Sequence, residues 1–144
     1  MDSSRPTLMP EGWEPAVPFD RCFDALYGLE VVSHDVEGEG VVRGRVPVSD
    51  AILNHLGVVH GGVFASVAEA LASRATAFVV MPQGRLAMGL SNDTNVLDAP
   101  GKGVVEVEAR VRSRDEGVWV WTVDARDDDG RLCAYSRITV AVRG

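Results

Sequence analysis

Residues 60–81 read HGGVFASVAEALASRATAFVVM, and this run decides the fold. From Gly62 onward it has no internal glycine or proline and is rich in alanine, the best helix former, so a helix is predicted over 62–81. The Met81-Pro-Gln-Gly84 sequence that follows ends it. Its side chains are apolar nearly all round, which places the helix inside a fold. One residue breaks the pattern: Glu69 puts a carboxylate in the middle of an oily run, where burial is costly unless the charge is paired or used.

At about 100° per residue, with Ser66 set at zero, Glu69 falls near 300°, Ser73 near 340° and Thr76 near 280°. The four share one narrow sector, an arrangement able to hold a water beside the carboxylate. A solvated face, or an interface in which Glu69 pairs with Arg74, fits the same stripe. The start of the helix favours chemistry. Gly61 and Gly62 leave the first N–H groups unobstructed, and a helix N-terminus stabilises negative charge, including a developing oxyanion. Gly61 and Glu69 lie roughly 12 Å apart along such a helix, too far to act on one carbonyl carbon. Two antiparallel copies remove the difficulty, so an obligate two-fold dimer with composite sites is predicted.

Outward from the helix, the chain divides into an extended N-terminal arm over 1–18, marked by Pro6, Pro10, Pro15 and Pro18, and a domain over 19–144. Phe19, Cys22, Phe23, Leu26 and Leu29 recur at helical spacing, predicting a short amphipathic helix that covers the body. Two strands are predicted between residues 30 and 48, split by Glu37-Gly-Glu-Gly40. Four more are predicted over 86–96, 104–114, 118–127 and 132–142, with glycine-bearing turns between the last three. In the first of these three, Val105, Val107, Ala109 and Val111 oppose Glu106, Glu108, Arg110 and Arg112, so one face is dry and one wet. The fold class is α+β: an antiparallel sheet of about six strands wrapped around one long helix.

The totals agree. A chain of 144 residues, 46% apolar and 24% charged, suits one globular domain. Its net charge of −7, with no basic block, argues against nucleic acid as a partner. The N-terminal stretch lacks the apolar core of a secretory signal, and Ser66, Glu69, Ser73, Arg74 and Thr76 interrupt the longest apolar run, so a cytoplasmic location with no membrane partner is expected. Cys22 and Cys133 lie far apart and are read as reduced thiols. His55 and His60 have no evident third ligand, and no metal or cofactor is expected. His34 reads as a surface histidine, Trp119 and Trp121 as packing on one strand face, and Arg112 and Arg114 as a solvated face. No G-x-S-x-G nucleophile elbow occurs.

The segment Asn54-x5-His60-Gly61-Gly62-x6-Glu69-x3-Ser73, followed by Gly89-Leu-Ser-Asn-Asp-Thr-Asn95 and Pro100, resembles the hotdog-fold acyl-CoA thioesterases of the phenylacetate-pathway and 4-hydroxybenzoyl-CoA branches. The resemblance spans about residues 19–143. It implies that Glu69 attacks the thioester or activates water, and that the Gly61 N–H polarises the thioester carbonyl. It further implies that Asn54 sits near the thioester, that His60 supports the loop, and that Ser73 positions water. Gly62 and Ser91 would line the substrate site. Asn54 accompanies Glu69 where these branches tend to pair Gln with Glu, or Asn with Asp, so the chain falls between subgroups. The implied activity is hydrolysis of an aromatic or medium-sized acyl-CoA by a homodimer or dimer of dimers. A noncatalytic acyl-CoA or lipid-binding hotdog protein is the main alternative, and an enoyl-CoA hydratase or dehydratase the lesser one.

Overall fold

A computed structural model describes residues 7–144. The chain runs α1 (Phe23–Leu26), β1 (Glu30–Asp35), β2 (Val41–Pro47), α2 (Gly61–Val80), β3 (Leu86–Val96), β4 (Val104–Arg114), β5 (Val118–Arg126) and β6 (Leu132–Arg143). Short 3-10 turns occupy Asp50–Ile52 and Met81–Gln83. The six strands form one sheet in the order β1-β2-β4-β5-β6-β3, and every neighbouring pair is antiparallel. The predicted hotdog architecture is therefore the one observed, with β1 and β3 at the edges.

Alternation builds the core. Val105, Val107 and Ala109 of β4, with Trp119, Trp121, Val123 and Ala125 of β5, turn inward and meet Phe64, Val67, Leu71 and Ala75 of α2. Their partners Glu106, Asp124 and Arg126 remain in water. In β2, Gly44 lets the helix come close: a methyl group there would stand 3.2 Å from both Leu71 Cδ atoms. Beyond α2, Gly84 adopts φ +78°, the left-handed conformation that closes a helix end at little cost to glycine. The Gly61–Gln83 stretch has a mean hydropathy of 1.5 and is long and apolar enough to cross a membrane. Here that character serves burial against the sheet.

Several local expectations need correction. The helix predicted from Phe19 shortens to the single turn α1, and its Phe23 and Leu26 point outward at 63% and 75% exposure. Phe23 borders a surface hollow beside α2, whereas Tyr27, 5% exposed, and Leu29 pack on the core. In the N-terminal segment, Pro6 falls outside the described residues, whereas Leu8 is only 1% exposed and inserts into the core. His34 packs its ring on Phe78, with centroids 4.8 Å apart, so it is not a simple surface side chain. Arg114 is likewise engaged, stacking over Trp119 and donating to the Val36 carbonyl.

Candidate active site

Glu69 lies two turns into α2, its carboxyl group beside Gly89 of the edge strand β3, and in the single chain it is exposed. With Ser66, Ser73, Arg74 and Asn92 it borders a hollow of about 380 Å³. The Ser73 Oγ is shielded from solvent and has no hydrogen-bond partner among the described residues. A buried hydroxyl is rarely left unsatisfied, and this one would have to turn toward the hollow that Glu69 borders before a water or ligand atom could reach it. The Ser66 Oγ donates to the Gly62 carbonyl at 2.7 Å and is committed to its own helix.

Thr76 departs from the polar stripe. It is fully buried, donates to the Ala72 carbonyl at 2.8 Å, and accepts from the Trp121 indole N–H at 3.0 Å. At the sector's edge its hydroxyl turns back to its own helix, where the indole reaches it from β5. Arg74 is not the counter-ion of Glu69 either. Its guanidinium pairs with Asp24 at 2.7 Å and stacks over Phe19, while the Tyr27 hydroxyl donates to the other Asp24 oxygen. Burial and the adjacent Asp24 carboxylate push the Tyr27 phenol far above its ordinary value, so it stays a donor. Glu69 therefore keeps no cation partner within its hollow.

The helix start is prepared by His60, whose backbone is extended at φ −61°, ψ 135°, and whose Nδ1 accepts from the Gly62 N–H at 2.9 Å. Gly62 permits this cap, because a methyl group there would stand 3.0 Å from Nδ1. The cap consumes the Gly62 N–H and leaves that of Gly61, at the first helical position, with no acceptor among the described residues. Asn54 shapes the preceding loop: its Oδ1 accepts from the Leu56 and Val58 N–H groups at 2.9 and 3.4 Å. The loop is held further by bonds from His60 N–H to the Ile52 carbonyl and from Val59 N–H to the Pro100 carbonyl.

Strand β3 runs beside the same helix face. A register irregularity between Gly89 and Ser91 changes which residues face α2. Asn92, rather than Ser91, borders the hollow and donates to the Ala65 carbonyl at 2.9 Å. The resemblance implies a substrate-lining role for Ser91, which in the single chain lies on the opposite strand face from Asn92, and strand alternation alone gives no sign of the phase change that brings Asn92 to the helix. Gly89 was likewise unassigned, yet a methyl group on it would come within 3.0 Å of the Glu69 carboxyl carbon. A second hollow, of about 840 Å³, lies near the far end of α2 around Trp13, Phe78 and Met81, away from both Glu69 and Gly61. Among the described residues no three His, Cys, Asp or Glu side chains cluster as a metal set.

The one geometry joins a carboxylate, a shielded hydroxyl and a capped helix start on a hotdog scaffold. The chain belongs to the Thioesterase superfamily, whose profile matches residues 56–134. It is 30% identical over 116 residues to a 1,4-dihydroxy-2-naphthoyl-CoA hydrolase of Listeria monocytogenes, spanning 81% of this chain and 91% of that one. Crystal structures of a mutant thioesterase from Pseudomonas aeruginosa (TM-score 0.81, 27% identity, 86% and 87% coverage) and of a Haemophilus influenzae thioesterase (0.75, 29%, 82% and 80%) share the fold. The protein is a thioester hydrolase.

Proposed function

We propose that this thioesterase cleaves an acyl-CoA carrying an aromatic or medium-sized acyl group, with Glu69 as the general base and the Gly61 N–H of a second subunit as the oxyanion donor. The observation that carries the reading is the exposed Glu69 carboxylate, which borders the hollow with no cation partner among the described residues and has Ser73 one turn away. Glu69 takes a proton from water as the water oxygen bonds to the thioester carbon, and the Gly61 N–H holds the developing oxyanion. The C–S bond then breaks, and the departing thiolate recovers the proton from Glu69. Free acid and coenzyme A result. Direct attack by Glu69 through a mixed anhydride is the second route. Single-turnover hydrolysis in 18O water separates them, since only the anhydride route can leave label in the Glu69 carboxylate.

The composite site follows from β3. Gly89 lies beneath Glu69, and Val96 lies beside Gly61, where a methyl group on the glycine would stand 3.5 Å from a Val96 methyl. Strand β3 is also an edge whose Leu86, Met88 and Leu90 are 59%, 59% and 60% exposed. An apolar open edge invites a partner strand. A two-fold axis through the middle of β3 would set residue 89 of one copy against residue 96 of the other, and so Glu69 against the opposite Gly61. A homodimer, alone or as half of a dimer of dimers, is the assembly this supports.

The acyl preference rests on the naphthoyl-CoA hydrolase relative and on a hollow walled by Phe23, Ala65 and Ala70. Thiol release from benzoyl-, phenylacetyl-, naphthoyl- and straight-chain acyl-CoA is the test. Higher kcat/KM for the aromatic members is expected, and binding without release from every member would return the chain to a noncatalytic acyl-CoA carrier.

A further inference from the structure

Glu69 needs a fixed position, yet its exposed carboxylate has no ion pair among the described residues. The structure supplies a restraint from β3. The Asn92 Nδ2 donates to the Ala65 carbonyl at 2.9 Å. In an α-helix that same carbonyl accepts the backbone N–H four residues on, which is that of Glu69. The tether therefore grips the helical turn carrying Glu69. At Gly89, three residues earlier, the strand lies flat against the carboxyl group, leaving no room for a side chain.

Asn92 is itself held. The Thr94 hydroxyl donates to the Asn92 Oδ1 at 2.7 Å, and the Thr94 and Ser136 hydroxyls are 2.8 Å apart. Because the single Thr94 proton goes to Asn92, Ser136 must be the donor to Thr94. Ser136 lies in the neighbouring strand β6, is 5% exposed, and stands opposite Thr94 in register. The direction of this relay fixes the amide: turned over, it would set two acceptors together at Ala65. A buried hydroxyl on the sheet thus orients an amide that braces the helix beside the carboxylate. The relay uses the bulge, since without the phase change Asn92 would face away from α2.

We infer that Asn92 is a positioning residue for Glu69, oriented through Thr94 by Ser136; this rests on the general-base reading of Glu69. A misplacement of about 1 Å can cost on the order of 100-fold in rate. Asn92→Ala should lower kcat on phenylacetyl-CoA, or on the fastest panel member, by roughly 10- to 100-fold, with KM, oligomeric state and melting temperature little changed. Thr94→Val should reproduce part of that loss, and Thr94→Ser, which keeps the hydroxyl, should restore it. In a Glu69→Gln background, Asn92→Ala should add nothing, because there is no base left to position.

The outcomes separate the two claims. If Glu69→Gln retains full activity, the general-base reading fails and the positioning role with it. If Glu69→Gln is inactive while Asn92→Ala keeps wild-type kcat, only the positioning role fails. A loss caused by Asn92→Ala that persists undiminished in the Glu69→Gln background, or that tracks melting temperature or dissociation, also overturns it. So does failure of Thr94→Ser to differ from Thr94→Val.

Discussion

Glu69 and Thr76 share a polar stripe when the helix is drawn as a wheel, but their surroundings assign them opposite tasks. Glu69 stays on the open face, whereas Thr76 is sealed beneath the Trp121 indole. Glu69→Gln preserves size and should reduce turnover by roughly 10²- to 10⁴-fold without changing the melting temperature, as steady-state thiol release and calorimetry will show. Thr76→Val should do the reverse. It orphans a buried N–H, costing about 1–3 kcal/mol in denaturant unfolding while leaving kcat nearly intact. Glu69 was legible in the sequence as a candidate because its carboxylate follows a glycine-bearing helix start in an otherwise apolar run, whereas the stripe by itself also fitted a solvated face. Thr76 was misread because angle alone cannot show which hydroxyl a distant strand will reach. Asn54, read as an amide near the substrate, is seen organising its loop through two backbone N–H groups, and its Nδ2 has no acceptor among the described residues.

Helix α2 and strands β3 to β6 fall within a residue or two of their predicted bounds, since long periodic segments and glycine turns announce themselves. The failures are local. The α1 segment has helical spacing but exposes its apolar residues, and the β3 bulge shifts the alternation so that Asn92 replaces Ser91 at the hollow. Turn chemistry offers a pH test. In the β4–β5 hairpin, the Asp115 Oδ1 accepts from the Val118 and Gly117 N–H groups at 2.9 and 3.0 Å. Those two bonds hold the carboxyl below its ordinary value of 3.8, with Val118 the larger influence. Because the folded value is depressed, the turn's stabilisation is complete above 3.8 and lost as pH falls through the folded value. Amide-exchange protection of Gly117 and Val118 should fall over that range, and Asp115→Asn, which keeps an acceptor without the charge, should abolish the pH dependence.

At the scale of the whole molecule, distance decides how the site is assembled. Gly61 and Glu69 are held on one rigid helix, roughly 12 Å apart, and no adjustment within a single chain brings them to the same carbonyl. That constraint was visible in the sequence, while the means of meeting it, an apolar edge strand with Gly89 under Glu69 and Val96 beside Gly61, required the fold. Gly61→Pro is a clean way to delete the oxyanion donor. Proline suits the first helical position, and His60 already has the extended backbone that a following proline demands. The most direct measurement mixes Glu69→Gln with Gly61→Pro chains by co-refolding. Each homodimer should be inactive, whereas every mixed dimer contains one site with both lesions and one site intact. An equal, random mixture should therefore recover about one quarter of wild-type thiol release. Recovery of that size supports a site shared between subunits; a mixture that forms heterodimers yet stays as inactive as its parents would contradict it.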